Sequence, residues 1–170
     1  MRSYQAERGP KRILLPVDFA RSSKEALERA IGVAGQSHAS VTILFVVDFN
    51  HYTPAIGPVN WTKTRDELTT KGQTEFLEIQ QCYGSGVALD FAIESGFAHE
   101  VIPQYAVEHN HDLIIIGKRP HRWWQQLFRR HTAERVLENS TVPVIVIDSA
   151  RHQREELGDK GFQKLNVCKT

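Results

Sequence analysis

Val41-Thr42-Ile43-Leu44-Phe45-Val46-Val47 holds seven residues with one hydroxyl, no charge, no glycine and no proline. A membrane-spanning helix needs roughly 20 apolar residues, and a strand with one wet face would alternate apolar and polar side chains. The segment is therefore expected to be a central strand of a parallel sheet covered by helices on both faces. Ile13–Val17, Leu113–Ile116 and Val142–Ile147 are runs of the same kind, and none is long enough to cross a bilayer.

Helical spacing fills the gaps between these runs. Ile13-Leu14-Leu15-Pro16-Val17 leads into Asp18 and Ser22/Ser23, and then Ala26, Leu27, Ala30, Ile31, Val33 and Ala34 recur on one helical face, with Gly35 as the expected stop. Asp48–Thr64 is rich in Pro, Gly, Asn, His and Tyr and reads as a long loop. Arg65–Gln81 regains helical character up to Gly84-Ser85-Gly86, and Val87–Glu94 alternates as a third strand. Gly96 turns the chain into a helix over about 98–108, with Val101, Ile102, Tyr105 and Ala106 on its apolar face and Asn110 or His111 closing it. Asp112–Gly117 is a further buried strand, Thr132–Leu137 belongs to a fourth helix, and Val142–Ile147 is the fifth strand. Pro143 removes a ladder donor from that last strand, which predicts an edge position. Alternating strands and helices predict a parallel sheet with right-handed crossovers, whose ligands lie outside the carboxyl ends of the strands. Asp18, Asp48 and Gly117 fall there.

Several function classes are disfavoured by what the chain lacks. Its 21 basic and 20 acidic residues nearly cancel, so no global field attracts nucleic acid or anionic membrane and any basic partner site must be local; no nucleic-acid partner and no integral membrane contact are expected. Met1–Arg12 has no apolar stretch of the secretory type, which makes the cytoplasm the expected location and Asn60-Trp61-Thr62 and Asn139-Ser140-Thr141 chance matches to the glycosylation pattern. Cys82 and Cys168 lie far apart without C-x-x-C spacing and are expected to be free thiols. His109 and His111 are two apart, a spacing that does not put both on one helical face; surface histidines are expected there, and no metal. No G-x-S-x-G, H-E-x-x-H or Walker-type pattern is present, so catalysis is not expected and no catalytic residue is assigned.

Lys11–Asp48, with Ile13-Leu14-Leu15-Pro16-Val17-Asp18 and Phe45-Val46-Val47-Asp48 as its two strands, resembles the opening of a universal stress protein. Ile93-Glu94-Ser95-Gly96, Glu100-Val101-Ile102, Asp112–Gly117, Glu134-Arg135-Val136-Leu137 and Val142-Pro143-Val144-Ile145-Val146 resemble that family's second half in order and spacing. The resemblance implies a Rossmann-like α/β domain over 11–148, with polar, loosely ordered termini at 1–10 and 149–170. It further implies a five-stranded parallel sheet of order 3-2-1-4-5, with helices on both faces. It also implies a homodimer through the last strand, with Pro143, Val144, Ile145, Val146 and Ile147 at the interface. Physical reasoning agrees, because an apolar edge without charge is an association surface.

Many members of that family bind ATP through an aspartate after the first strand, backbone near the second, and a G-x-x-G…G-S/T stretch after the fourth. The resemblance places Pro16, Asp18, Val46, Ile116, Gly117, Arg119, Arg130, His131 and Thr132 as candidate nucleotide-binding residues. Gly117 matches the first glycine, but Pro120, Arg130 and His131 replace the second glycine, the third glycine and the hydroxyl residue. Proline has no N–H to offer a phosphate, and arginine fills space that a close backbone approach requires. The expectation is therefore a stress-response protein that acts through dimerisation and contacts with an unknown protein partner, without ATP held in the family's usual way. An adenine-nucleotide sensor is the alternative, with ATP or AMP held by a basic loop: Lys118, Arg119, Arg122, Arg129 and Arg130 carry five positive charges and no intervening acid. The same loop also reads as solvated charges with Trp123, Trp124, Leu127 and Phe128 packed on the domain, or as a partner or membrane-surface contact. Asp18 likewise reads either as a ligand contact or as a cap on the following helix.

Overall fold

A computed structural model describes residues 9–18, 21–48, 61–118 and 132–148. In chain order these form β1 (Arg12–Val17), α1 (Arg21–Ser37), β2 (Ser40–Asp48), α2 (Trp61–Tyr83), β3 (Leu89–Gly96), α3 (Ala98–Glu108), β4 (Leu113–Lys118), α4 (Thr132–Asn139) and β5 (Val144–Asp148). The five strands make one parallel sheet in the order β3-β2-β1-β4-β5, the Rossmann-like arrangement expected from the sequence.

Strand alternation divides the core between the two faces of the sheet. Ile13, Leu15, Ile43, Phe45 and Ile115 point to one face, where Ala26, Leu27, Ala30 and Ala34 of α1 and Ile79 of α2 cover them. Leu14, Leu44, Ile114 and Ile116 point to the other and meet Ala98, Ile102 and Ala106 of α3 with Ala133 and Val136 of α4. Phe76 of α2 stacks on Phe91 of β3 with ring centroids 4.8 Å apart, closing the first layer at its outer strand.

The helix ends differ from expectation in an instructive way. α1 runs through Gly35 to Ser37 and stops at His38, which has φ +55°. Ala39 N–H donates to Ala34 C=O, so His38 occupies the left-handed position of a C-terminal cap. Asn110, also at φ +55°, ends α3 the same way: His111 N–H bonds Ala106 C=O and Asn110 N–H bonds Val107 C=O. Both bonds of the Schellman pattern are made there. Gly96 needs to be glycine, since its φ is +149° and a Cβ would stand 2.8 Å from Val101 Cγ2.

Other boundaries shift by a few residues. α2 begins at Trp61 and not at Arg65, β3 spans Leu89–Gly96 and not Val87–Glu94, and Pro143 precedes β5 instead of lying inside it. Pro143 C=O accepts from Ile114 N–H, so the proline gives the ladder an acceptor where it has no donor. Cys82 is disulfide-bonded and no described cysteine is free, which corrects the expectation of a free thiol. Residue spacing carried no signal for that bond, because chain separation does not limit which cysteines meet in space.

Candidate functional site

In a parallel sheet of this order the crossovers run to opposite sides from β1 and β4, and a crevice opens between their carboxyl ends. The register fits this. β1 pairs with β2 along its whole length to Val17↔Phe45, whereas its pairing with β4 is confined to Ile13↔Leu113 and Leu14↔Ile114. The β1–β4 pairing thus ends two residues before Pro16, which has no N–H to give to a ladder. The proline within this central strand sits where the sheet parts.

Around that opening the structure places six of the nine candidate nucleotide-binding residues. Pro16 is buried in β1, Val46 is half-buried on β2 and packs with the α3/α4 layer, and Ile116 is core. Gly117 is half-buried opposite Ile147 of β5, and Thr132 is half-buried as the first residue of α4. Asp18 is exposed just beyond β1. Arg119, Arg130 and His131 lie outside the described residues, as do the rest of the basic loop with Trp123 and Trp124, the loop at 49–60 and the tail from 149.

Two polar pairs organise this end of the sheet. Ser23 Oγ donates to Asp18 Oδ1 at 2.6 Å and accepts from Asp18 N–H at 3.1 Å. This reciprocal pair ties the end of β1 to the first turn of α1, and it engages the Asp18 carboxylate through a side-chain hydroxyl. On the other side, Lys118 Nζ donates to Glu134 Oε1 at 2.9 Å, joining the last residue of β4 to the third residue of α4. The hydrogen bond to Glu134 raises the proton affinity of Lys118, partial burial opposes it, and the nearby charges of Glu134 and Asp148 add to the rise. Sequence reading counted Lys118 among the loop's cations. It missed that a carboxylate sixteen residues on claims it, although a Glu in the first turn of a helix is a position where a negative charge is favoured.

The two edges of the sheet are unlike. β3 carries exposed Asp90 and Glu94, the kind of charges that blunt an edge. β5 presents Val144, Ile145, Val146 and Ile147 without charge until Asp148, and Ile145 is 40% exposed. Among the described residues β5 pairs only with β4.

At the opposite, amino end of the strands the histidine expectation needs correction. His109 is exposed and stacks on Tyr105 with centroids 4.0 Å apart. His111 is buried, not on the surface, with Nε2 3.0 Å from Thr42 Oγ1 of β2. The left-handed Asn110 turns it inward, which a spacing argument could not reveal. A shallow recess of about 400 Å³, lined by residues that include Lys11, His38 and Val87, also opens at this amino end, away from the β1–β4 crevice. No group of three or more His, Cys, Asp or Glu side chains is placed to hold a metal among the described residues, and no helix there is long and apolar enough to cross a membrane.

The model of the Universal stress protein family matches residues 9–148. The chain is 25% identical over 144 residues to universal stress protein MJ0531 of Methanocaldococcus jannaschii, covering 84% of this chain and 85% of that one. Among solved structures, the universal stress protein UspA from Lactobacillus plantarum superposes with a TM-score of 0.69 at 28% identity, over 82% of this chain and 98% of that chain. A universal stress protein family protein from Arabidopsis thaliana with AMP bound shares the fold at 20% identity and a TM-score of 0.57, over 82% and 92% of the two chains.

Proposed function

This chain belongs to the universal stress protein family, and from that premise we propose that it is a stress-response protein working by association, without catalysis and without ATP in the family's usual pose. Two copies pair through β5, with Pro143, Val144, Ile145, Val146 and Ile147 at the interface, and the pair presents a surface to a further protein partner. The observation that carries the reading is the contrast between the edges: β3 bears Asp90 and Glu94, while β5 bears exposed Ile145 and no charge before Asp148. Unpaired backbone groups beside apolar side chains are satisfied at least cost by a second copy of the same edge.

The test is sedimentation velocity of the full chain and of Ile145→Lys. The expected result is a dimer for the parent and a monomer with unchanged circular dichroism for the variant. A parent that stays monomeric at tens of micromolar would overturn the pairing.

A second reading is favoured by a specific observation, the AMP bound in the Arabidopsis neighbour. In it the chain is an adenine-nucleotide sensor whose basic segment from Lys118 to Arg130 stands in for the glycine-rich loop. Against it, Pro120, Arg130 and His131 occupy the positions of the lost glycines and hydroxyl, and Lys118 is engaged by Glu134. Gain of stability with AMP that Arg130→Ala abolishes would favour this second reading.

A further inference from the structure

Cys82 stands in the last turn of α2 and is disulfide-bonded. The chain has 2 cysteines in all, so within one chain the partner is Cys168, which lies outside the described residues. Such a bond joins distant corners of the fold. α2 leaves the carboxyl end of β2 and delivers the chain to the amino end of β3, which puts Cys82 at the amino side of the sheet beside its β3 edge. β5 ends at Asp148, at the carboxyl side of the opposite edge. With strands about 4.8 Å apart and up to 9 residues long, these corners are roughly 40 Å from one another. The ~20 residues between Asp148 and Cys168 reach about 65 Å when extended, enough to span that diagonal.

Charge points to where the segment is held. Gly72, Phe76, Ile79 and Tyr83 belong to the stripe of α2 that packs on the sheet side. Glu75, Glu78 and Cys82, spaced i, i+3 and i+7, make a second stripe along its rim, with Glu78 exposed and Glu75 and Cys82 half-buried. The segment that carries Cys168 is opposite in charge. After Asp159 it has Lys160, Lys164 and Lys169 and no acidic side chain, and Lys160, Lys164 and Cys168 follow one another at steps of four. Two acids lead up to one cysteine and two lysines lead up to the other.

We propose that the Glu75–Glu78–Cys82 stripe of α2 is the docking site of this chain's own Lys160–Thr170 segment, and that thiol–disulfide exchange decides whether the segment is fastened there. A small disulfide such as oxidised glutathione closes the strap. One protein thiolate attacks it, giving a mixed disulfide and one small thiol; the second protein thiolate then attacks the mixed disulfide, forming the Cys82–Cys168 bond and releasing the second small thiol. Two protein thiols are oxidised, one small disulfide is reduced, and the two thiol protons leave on the released thiols. A small thiol in excess reverses the exchange and frees a basic segment that also carries Phe162, Leu165 and Val167.

The experiment equilibrates the full chain and Glu78→Lys in a series of glutathione redox buffers, digests each sample with trypsin without reduction, and reads the fraction of linked Cys82 and Cys168 peptides by mass spectrometry. Glu78 is exposed, so the substitution leaves the packing of α2 intact. The expected result is a linked pair within a single chain, with a closing equilibrium that falls about threefold in Glu78→Lys, as reversing one exposed charge opposite lysines implies. That difference should vanish at about 0.5 M salt, where exposed charges are screened. No linked pair at any glutathione ratio, or a bond that joins two chains, would overturn the proposal. A closing equilibrium that Glu78→Lys leaves within about 1.5-fold at low salt would overturn it as well, since the acidic stripe would then hold nothing.

Discussion

His111 Nε2 lies 3.0 Å from Thr42 Oγ1, a buried hydrogen bond that ties the turn after α3 to the amino-terminal part of β2. Burial first, and then the charges of Arg12 and His109, push the His111 imidazole down from its ordinary range to about 4, against smaller opposing effects of Ala106 and Asp112. An unfolded histidine takes up its proton near pH 6.5, so between about pH 6.5 and pH 4 the unfolded chain binds more protons than the folded one. Stability from this group is therefore fully present above pH 6.5 and falls as the pH drops through that window, by roughly 3 kcal/mol in all. Urea unfolding at a series of pH values should show this decline, and His111→Leu should flatten it.

Gly96→Ala is expected to destabilise the fold by about 1–3 kcal/mol. The residue adopts φ +149°, and its new methyl group would stand 2.8 Å from Val101 Cγ2. Thermal unfolding measures the cost directly. A loss below half a kilocalorie would mean that the β3–α3 corner relaxes freely.

Ser23→Ala should lower stability by about 1 kcal/mol, because Ser23 Oγ makes both bonds to Asp18. Asp18→Asn should cost less, since an amide oxygen still accepts from the hydroxyl. If Asp18→Asn costs more than Ser23→Ala, Asp18 serves something other than this link to Ser23.

Much of the architecture was readable from residue order alone. The uncharged runs at Val41–Val47 and Leu113–Ile116 read as buried strands from their length and lack of charge, and the order of the sheet followed from the likeness of Ile13–Asp18 and Phe45–Asp48 to a known family. What escaped was decided by backbone conformations and distant contacts. Gly35 seemed a natural helix stop, yet the tertiary frame carried α1 on and placed the left-handed turn at His38. His111 looked like a surface residue until the turn at Asn110 buried it against Thr42. Lys118 looked like one more loop cation, because nothing in its own neighbourhood announces Glu134 on the next helix. Pro16 stood in a segment that read as a plain strand; only the register shows that the β1–β4 pairing ends just before it.

The central claim, that this fold does not seat ATP in the ordinary pose of its family, is tested most directly by thermal unfolding of the full chain with millimolar ATP. A ligand at 100 times its Kd adds about 2.7 kcal/mol to the native state, which for a domain of this size raises the midpoint by roughly 5–10 °C. The expected result is a midpoint that does not move. A rise of several degrees with ATP would contradict the account.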